Sequence, residues 1–130
     1  MTIEVENIEK LYDIDTKFTW NSIRYIDSID YNISVDETYE TYSLLKIGLI
    51  FLNEGSTYKA VFEFYNVQNL HLERIGGKYN QIYGFEIVDK SKDGWAKDQR
   101  YFVNDYEDNL ISFSCESIKV LSVEKKDLYY

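Results

Sequence analysis

The chain has 130 residues, 45% of them apolar, which suits one domain with an ordinary hydrophobic core and leaves little room for a second. We therefore expect a single domain over residues 1–130. The formal net charge of −9 disfavours binding to nucleic acid and to anionic membranes. It would steer a basic partner toward the protein, but it fits equally a protein that is acidic only for solubility.

The N-terminal sequence and the cysteine content bear on where in the cell the protein is found. The N-terminal stretch is acidic and lacks the basic start and apolar run of a signal peptide. One cysteine cannot form an intrachain disulfide, and this absence favours a reducing environment. We expect a cytoplasmic protein that is a monomer or a weak homodimer.

The first predicted element lies near the N-terminus. Ile8, Leu11 and Tyr12 recur at three- and four-residue spacings, which predicts a short amphipathic helix. Ile3 and Val5 alternate with polar residues and fit an edge strand equally well. Both interpretations remain open at this point.

After this stretch the apolar residues recur with period two. Residues 29–35 alternate between an apolar face and a polar face, as in a strand with one face in water. The acidic segment 36–42 then predicts a turn or loop. Residues 44–52 are apolar on both faces, which is typical of a strand in the middle of a structure.

The remaining strands are separated by turns and by breaks in phase. The alternation that begins at Ala60 breaks at residues 65–69, which indicates a bulge or a tight corner between two strands. Further strands are predicted at 82–88, 100–105 and 110–122. About six to eight strands and one short helix predict a mainly β, mostly antiparallel sandwich or open barrel, so the domain is β-rich.

Nothing in the sequence forms a convincing catalytic set. The only histidine, His71, lies between two leucines, and Cys115 shares a face with Ile111 and Phe113, which predicts a buried and inert thiol. A single histidine also rules out an ordinary zinc cluster. We expect no enzymatic activity, no cofactor and no metal.

Residues 89–100 read DKSKDGWAKDQR and begin like an EF-hand loop. Asp89, Ser91 and Asp93 stand two apart and are followed by Gly94, but the twelfth position, where a carboxylate is required, holds Arg100. Strand patterns rather than helices flank the segment. It is therefore predicted to be a polar hairpin loop turned by Asp93-Gly94.

The two tryptophans carry different expectations. Trp20 is predicted to anchor the N-terminal segment to the sheet. Trp95, in the polar loop, fits either packing against the domain or stacking on a sugar ring. The second interpretation leaves open a small-ligand or carbohydrate-binding β domain as the alternative function.

Three motifs carry a resemblance that spans about residues 20–120. They are F-x-F-x-x-V-x-x-L at 62–70, G-F-x-I-x-D at 84–89 and F-x-C at 113–115. With them the chain resembles the YxiG-like group of small uncharacterised proteins of Firmicutes, and it is similar to immunity proteins encoded beside polymorphic toxins. Members often carry a His-Asp pair near the first strand, where this chain has Asn21-Ser22, so a site at that position is not carried over.

The resemblance implies an intracellular, non-catalytic binding protein that neutralises a toxin. Toxin nucleases tend to be basic, so a basic protein toxin suits an acidic surface that also carries tyrosines. Two segments with interleaved acids and tyrosines, both expected to be exposed, are the predicted contact regions. The first comprises Asp36, Glu37, Tyr39, Glu40 and Tyr42, and the second comprises Asp105, Tyr106, Glu107 and Asp108.

Overall fold

The computed structural model describes residues 3–94 and 96–127. These residues form two β-sheets, open rather than closed into a barrel, and one short helix. The mainly β prediction is confirmed, with the sandwich as its form. The elements are β1 Val5–Glu6, α1 Glu9–Tyr12, β2 Ile23–Val35, β3 Thr41–Asn53, β4 Ser56–Tyr65, β5 Gln68–Leu72, β6 Asn80–Gln81, β7 Phe85–Asp89, β8 Tyr101–Asp105, β9 Ile111–Cys115 and β10 Ser117–Lys125.

Both interpretations of the N-terminal stretch are found in succession. Strand β1 runs parallel to β10 at the edge of a sheet, with Val5 opposite Ile118. Helix α1 follows at once and buries Leu11 in the core. Along the described residues no helix has the length and apolar character needed to cross a membrane.

The larger sheet has six strands in the order β1-β10-β4-β3-β2-β6. Strand β3 pairs with β4 on one side and with β2 on the other, in antiparallel register on both. Its inner face is fully buried at Leu45, Ile47 and Phe51. The prediction of a strand in the middle of the structure is therefore confirmed.

The smaller sheet has four strands in the order β5-β9-β8-β7 and packs across this inner face. Phe64 of the larger sheet meets Phe113 of the smaller sheet edge to face, with ring centroids 4.8 Å apart. Trp20 contacts both sheets: its ring centroid lies 5.7 Å from that of Phe62 in the larger sheet and 6.0 Å from that of Phe85 in the smaller sheet. The predicted anchoring role of Trp20 is confirmed, since it fixes the segment before β2 into the core.

The chain crosses between the sheets at two places that lie side by side. After β4 it turns at Asn66, whose φ is 57°, and enters the other sheet as β5, which confirms the corner predicted at 65–69. The single strand predicted over 110–122 is wrong, because Glu116 separates β9 in one sheet from β10 in the other. The Glu116 N–H donates to the carbonyl of Tyr65 at 3.0 Å, so the two crossings are bonded to each other.

A charged cluster lies on the outer face of the larger sheet. The Nζ atoms of Lys59 and Lys126 stand 2.7 and 2.8 Å from the same oxygen of Asp27. Lys59 reaches Asp27 across Gly48, where an added Cβ would lie 2.6 Å from the lysine Cε and 2.5 Å from the Oγ of Ser28. The absence of a side chain at Gly48 therefore keeps the cluster together.

Protonation of Asp27 is coupled to this cluster. Burial alone would raise the pKa of Asp27, but hydrogen bonds and charge from Lys126 and Lys59 outweigh burial and lower it. A carboxyl group with a lowered pKa in the folded state stabilises the fold above its unfolded pKa of about 3.9. That stabilisation is lost as the pH falls through the lower folded value.

We expect Asp27→Asn to lower the free energy of unfolding at pH 7 by about 1–3 kcal/mol, because it removes the charge that two lysines share. Asp30→Asn is the matched control, since Asp30 lies on the same strand, is exposed and bonds the side chain of Asn32. Urea unfolding at pH 7 and near pH 3 measures both. The Asp27 effect should shrink at the lower pH, and equal effects of the two substitutions would contradict the assignment.

Candidate partner-binding hairpin

The β2–β3 hairpin is longer than the sandwich to which it belongs. Each of its strands has 13 residues, whereas each strand of the smaller sheet has five. Strand β4 ends its pairing with β3 at Leu44 and Tyr65, while β2 and β3 stay paired as far as Val35 and Thr41. The end of the hairpin therefore projects past the corner of the sandwich.

Asp36 organises the turn at the tip of this hairpin. Its Oδ1 accepts hydrogen bonds from the Thr38 N–H at 2.8 Å, the Thr38 hydroxyl at 2.7 Å and the Glu40 N–H at 3.0 Å. The Thr38 hydroxyl and the Glu40 and Thr38 N–H groups hold the pKa of Asp36 below its ordinary value. The carboxylate of Asp36 thus serves the turn, and its charge stays on the surface.

Tyr39 occupies the position of the turn that usually holds glycine. The Tyr39 N–H donates to the Asp36 carbonyl at 3.1 Å, and the Asp36 N–H donates to the Glu40 carbonyl at 2.9 Å. This is a three-residue hairpin loop whose last residue is left-handed, and Tyr39 has a φ of 65°. Its side chain is 89% exposed, so packing against the rest of the fold does not offset the cost of a left-handed φ in a bulky residue.

The first predicted contact segment is therefore gathered at one point, with one exception. Glu37 and Glu40 are exposed beside Tyr39 on the tip. Tyr42 lies on β3 instead, half-buried with its ring 5.6 Å from that of Tyr65. The tip thus presents three acids and one tyrosine, and Tyr42 belongs to the surface of the sheet.

The second predicted contact segment joins β8 to β9 and is only partly exposed. Asp105 is completely buried, and its Oδ1 accepts the Ile111 N–H at 2.9 Å, so it shapes the turn and cannot meet a partner. The expectation that the whole segment is exposed is wrong at this residue. Tyr106, Glu107 and Asp108 are exposed, but the Arg74 Nη2 donates to the Asp108 carbonyl at 2.8 Å and places a cation on this turn.

Three exposed apolar residues next to the hairpin tip were missed by sequence reasoning. Tyr31, Ile33 and Val35 share a face with Ile29, and the alternation predicted a single apolar face. Ile29 packs against the core, but the next three are 45%, 59% and 56% exposed. The smaller sheet ends before it reaches them, and only the unequal strand lengths could have signalled this.

The candidate catalytic residues do not come together. His71 is exposed, with its Nε2 3.2 Å from Glu73 Oε1. Cys115 is buried, as predicted, and burial raises the pKa of its thiol to about 12. Across residues 3–94 and 96–127 no cluster of three or more His, Cys, Asp or Glu could hold a metal ion.

The described residues of the 89–100 segment, 89–94 and 96–100, form a hairpin connection between the antiparallel strands β7 and β8, as predicted. Gly94 has a φ of 78°, which fits its predicted place in the turn. Arg100, at the position where calcium would need a carboxylate, lies 3.4 Å from the carboxylate of Asp89. The positive charge beside Asp89 therefore comes from the guanidinium of Arg100 and not from a bound calcium ion.

The small-ligand alternative finds little support in the described residues. A cleft of about 220 Å³ lies between the N-terminal segment and the core, lined by Tyr12, Phe18 and Trp20 among others. Ligand pockets usually measure about 300–1,000 Å³ and carry several converging polar groups. This cleft is smaller and offers only the hydroxyls of Tyr12 and Thr19 and the indole N–H of Trp20, and two larger depressions, of about 470 and 490 Å³, are shallow and open to solvent. Trp95, on which the carbohydrate hypothesis rests, lies outside the described residues.

A family model described as "Immunity protein PIM8" matches residues 3–121. The chain belongs to this immunity protein family. The match runs from β1 into β10 and includes the whole projecting hairpin. Searches among curated proteins and among solved structures give no match.

Membership of the PIM8 family confirms the resemblance to immunity proteins drawn from the sequence motifs. It supports a role in neutralising a toxin partner. The YxiG-like label is not confirmed by it. In this PIM8 family member, the hairpin tip is the place where exposed charge, an exposed aromatic ring and an exposed apolar face meet.

We expect Tyr39→Gly to leave the free energy of unfolding unchanged or to raise it by up to about 1 kcal/mol, because glycine tolerates a left-handed φ without the Cβ clash. Asp36→Ala is the contrasting variant and should lower the free energy of unfolding by about 1–2 kcal/mol, because the hydrogen bonds of the turn are lost. Thermal and urea unfolding measure both. A marked loss of stability in Tyr39→Gly would mean that Tyr39 supports the fold.

Proposed function

We propose that this immunity protein neutralises its toxin by binding it directly through the tip of the β2–β3 hairpin. The observation that carries the proposal is Tyr39, an almost fully exposed aromatic residue at a left-handed position where glycine would be easier to accommodate. Unfavourable backbone geometry without a structural reason is typical of functional positions. Tyrosine is also among the residues that most often dominate binding energy at protein interfaces.

The charge around the tip supports a basic partner. Residues 28–42 contain four acids and no lysine or arginine. On the outer face Lys46 stands opposite Asp30, and Lys59 and Lys126 are held by Asp27. The acids at the tip itself, Asp36, Glu37 and Glu40, have no lysine or arginine between residues 28 and 42. An unbalanced acidic surface accelerates encounter with a basic protein and makes the association rate sensitive to salt.

Binding rather than catalysis is the proposed mode of action. Immunity protein families are generally non-catalytic. The proposed toxin is a basic protein, as the sequence predicts, and the proposed site of action is the cytoplasm. The protein would act as a monomer that covers a surface which the toxin needs.

The test uses the purified complex of the protein with its cognate toxin. We expect the double charge reversal Glu37→Lys/Glu40→Lys to slow association by at least about tenfold at low salt, because it inverts the field at the tip. The control Glu9→Lys/Asp13→Lys makes the same change in net charge on exposed residues of and next to α1. Its association rate should stay close to that of the wild type.

Stopped-flow or surface-based kinetics at several salt concentrations measures these rates. Two results would contradict the proposal. In one, both double variants slow association equally, so that only net charge matters. In the other, a third variant, Glu107→Lys/Asp108→Lys, slows association while the tip variant does not, which would place the contact at the β8–β9 turn.

A further inference from the structure

The outer edge of β2 is unpaired over half of its length. Strand β6 pairs with β2 only at Tyr25 and Ile26. From Ser28 to Val35 the described residues give β2 a single neighbour, β3. The 75–80 segment lies beside Ser28 and Ile29, so the open side is the stretch from Asp30 to Val35.

The register identifies which backbone groups face this open side. The Ser43 carbonyl accepts the N–H of Asn66 at 2.8 Å, so the backbone groups of Ser43 point toward β4. Ser43 stands opposite Ile33, which makes this a pair without mutual hydrogen bonds and turns the N–H and C=O of Ile33 to the open edge. At the tip of the hairpin the Asp36 N–H donates to the Glu40 carbonyl and so points toward β3. Counting back from Asp36, the even-numbered residues face β3 and the odd-numbered residues face the open edge, which agrees with the orientation of Ile33.

Tyr31, Ile33 and Val35 combine an open backbone edge with an exposed apolar side chain. Because the register is continuous from Ser28 to Val35, Tyr31 and Val35 also present their backbone groups to the open edge. These three residues are also the ones whose apolar side chains are exposed on the inner face. An incoming strand would meet free hydrogen-bonding groups along the edge and an apolar surface beside it.

The charge of the hairpin indicates which kind of strand fits. A second copy of this chain, added antiparallel at this edge, would bring the acids of residues 28–42 against the same acids of its partner. A strand with lysine or arginine on one face and apolar residues on the other meets complementary groups on both sides. The β5 and β7 edges are shorter, with five residues each.

We propose that the toxin is captured by strand addition: an extended, basic and apolar segment of the toxin pairs with the open edge of β2 at Tyr31, Ile33 and Val35. Main-chain hydrogen bonds then supply much of the affinity, and the alternating side chains supply specificity. The proposal rests on the proposed immunity function and names how the partner is held.

A proline substitution at this edge tests the backbone directly. In Ile33→Pro the lost N–H is one that has no hydrogen-bond partner among residues 3–94 and 96–127. The fold should therefore survive, because proline is tolerated on sheet edges. We expect the dissociation constant for the purified toxin to rise at least about tenfold, the loss that one hydrogen bond gives. The control Ile33→Thr keeps the donor and the β-branched shape and should stay within about threefold of the wild type.

The outcomes separate this proposal from the proposed function. If the wild type binds no toxin, the proposed function fails. If the toxin binds and Ile33→Pro and Ile33→Thr weaken it equally, the side chains dock without strand pairing and the proposal is overturned. It is also overturned if Ile33→Pro leaves the toxin affinity unchanged, including the case in which sedimentation shows that it only dissociates a dimer of this chain.

A second measurement holds even if Ile33→Pro fails to fold. Residue-resolved amide exchange by NMR, in the wild-type complex, should slow at least about tenfold at Tyr31, Ile33 and Val35, while Asn32 and Ser34, already bonded to β3, change much less. Alternation of this kind is the signature of a paired strand. Uniform slowing, or none, along residues 28–35 would overturn the proposal.

Discussion

The paired crossing between the two sheets is the constraint on which the rest of the structure depends. Strands β4 and β10 pair in the larger sheet, and their continuations β5 and β9 pair in the smaller one, so both segments bend at the same corner. The bond from Glu116 to Tyr65 joins them there. Because β3 makes no such crossing, it continues past Ser43 with β2 beside it, and the hairpin extends beyond the cover of the second sheet.

Exposure of the hairpin combines two features that folded proteins usually avoid. An open sheet edge with an apolar face invites unwanted pairing, and proteins commonly block such edges with charge, proline or bulges. Here the acids are concentrated at the tip, at Asp36, Glu37 and Glu40, while Tyr31 and Ile33 stay apolar along the edge. Like-charge repulsion discourages copies of the chain from pairing with one another, and a basic partner does not experience it.

Sequence reasoning predicted the architecture well where alternation is regular and poorly where tertiary geometry decides. The buried face of β3, the corner after Tyr65 and the burial of Cys115 followed from local patterns. The burial of Asp105 and the exposure of Ile33 did not follow, because each depends on what lies opposite in space. An acid in a turn is usually exposed and an isoleucine in a strand is usually buried, so only the three-dimensional arrangement of the two sheets reveals the exceptions at Asp105 and Ile33.

The central claim is that the toxin is held at residues 28–42. The most direct measurement is the accessible area that each residue loses in a structure of the complex with the cognate toxin. We expect the largest losses on Tyr39 and on the open edge of β2, with a toxin strand beside that edge. A complex in which this hairpin stays exposed to solvent, and the toxin covers another surface, would contradict it.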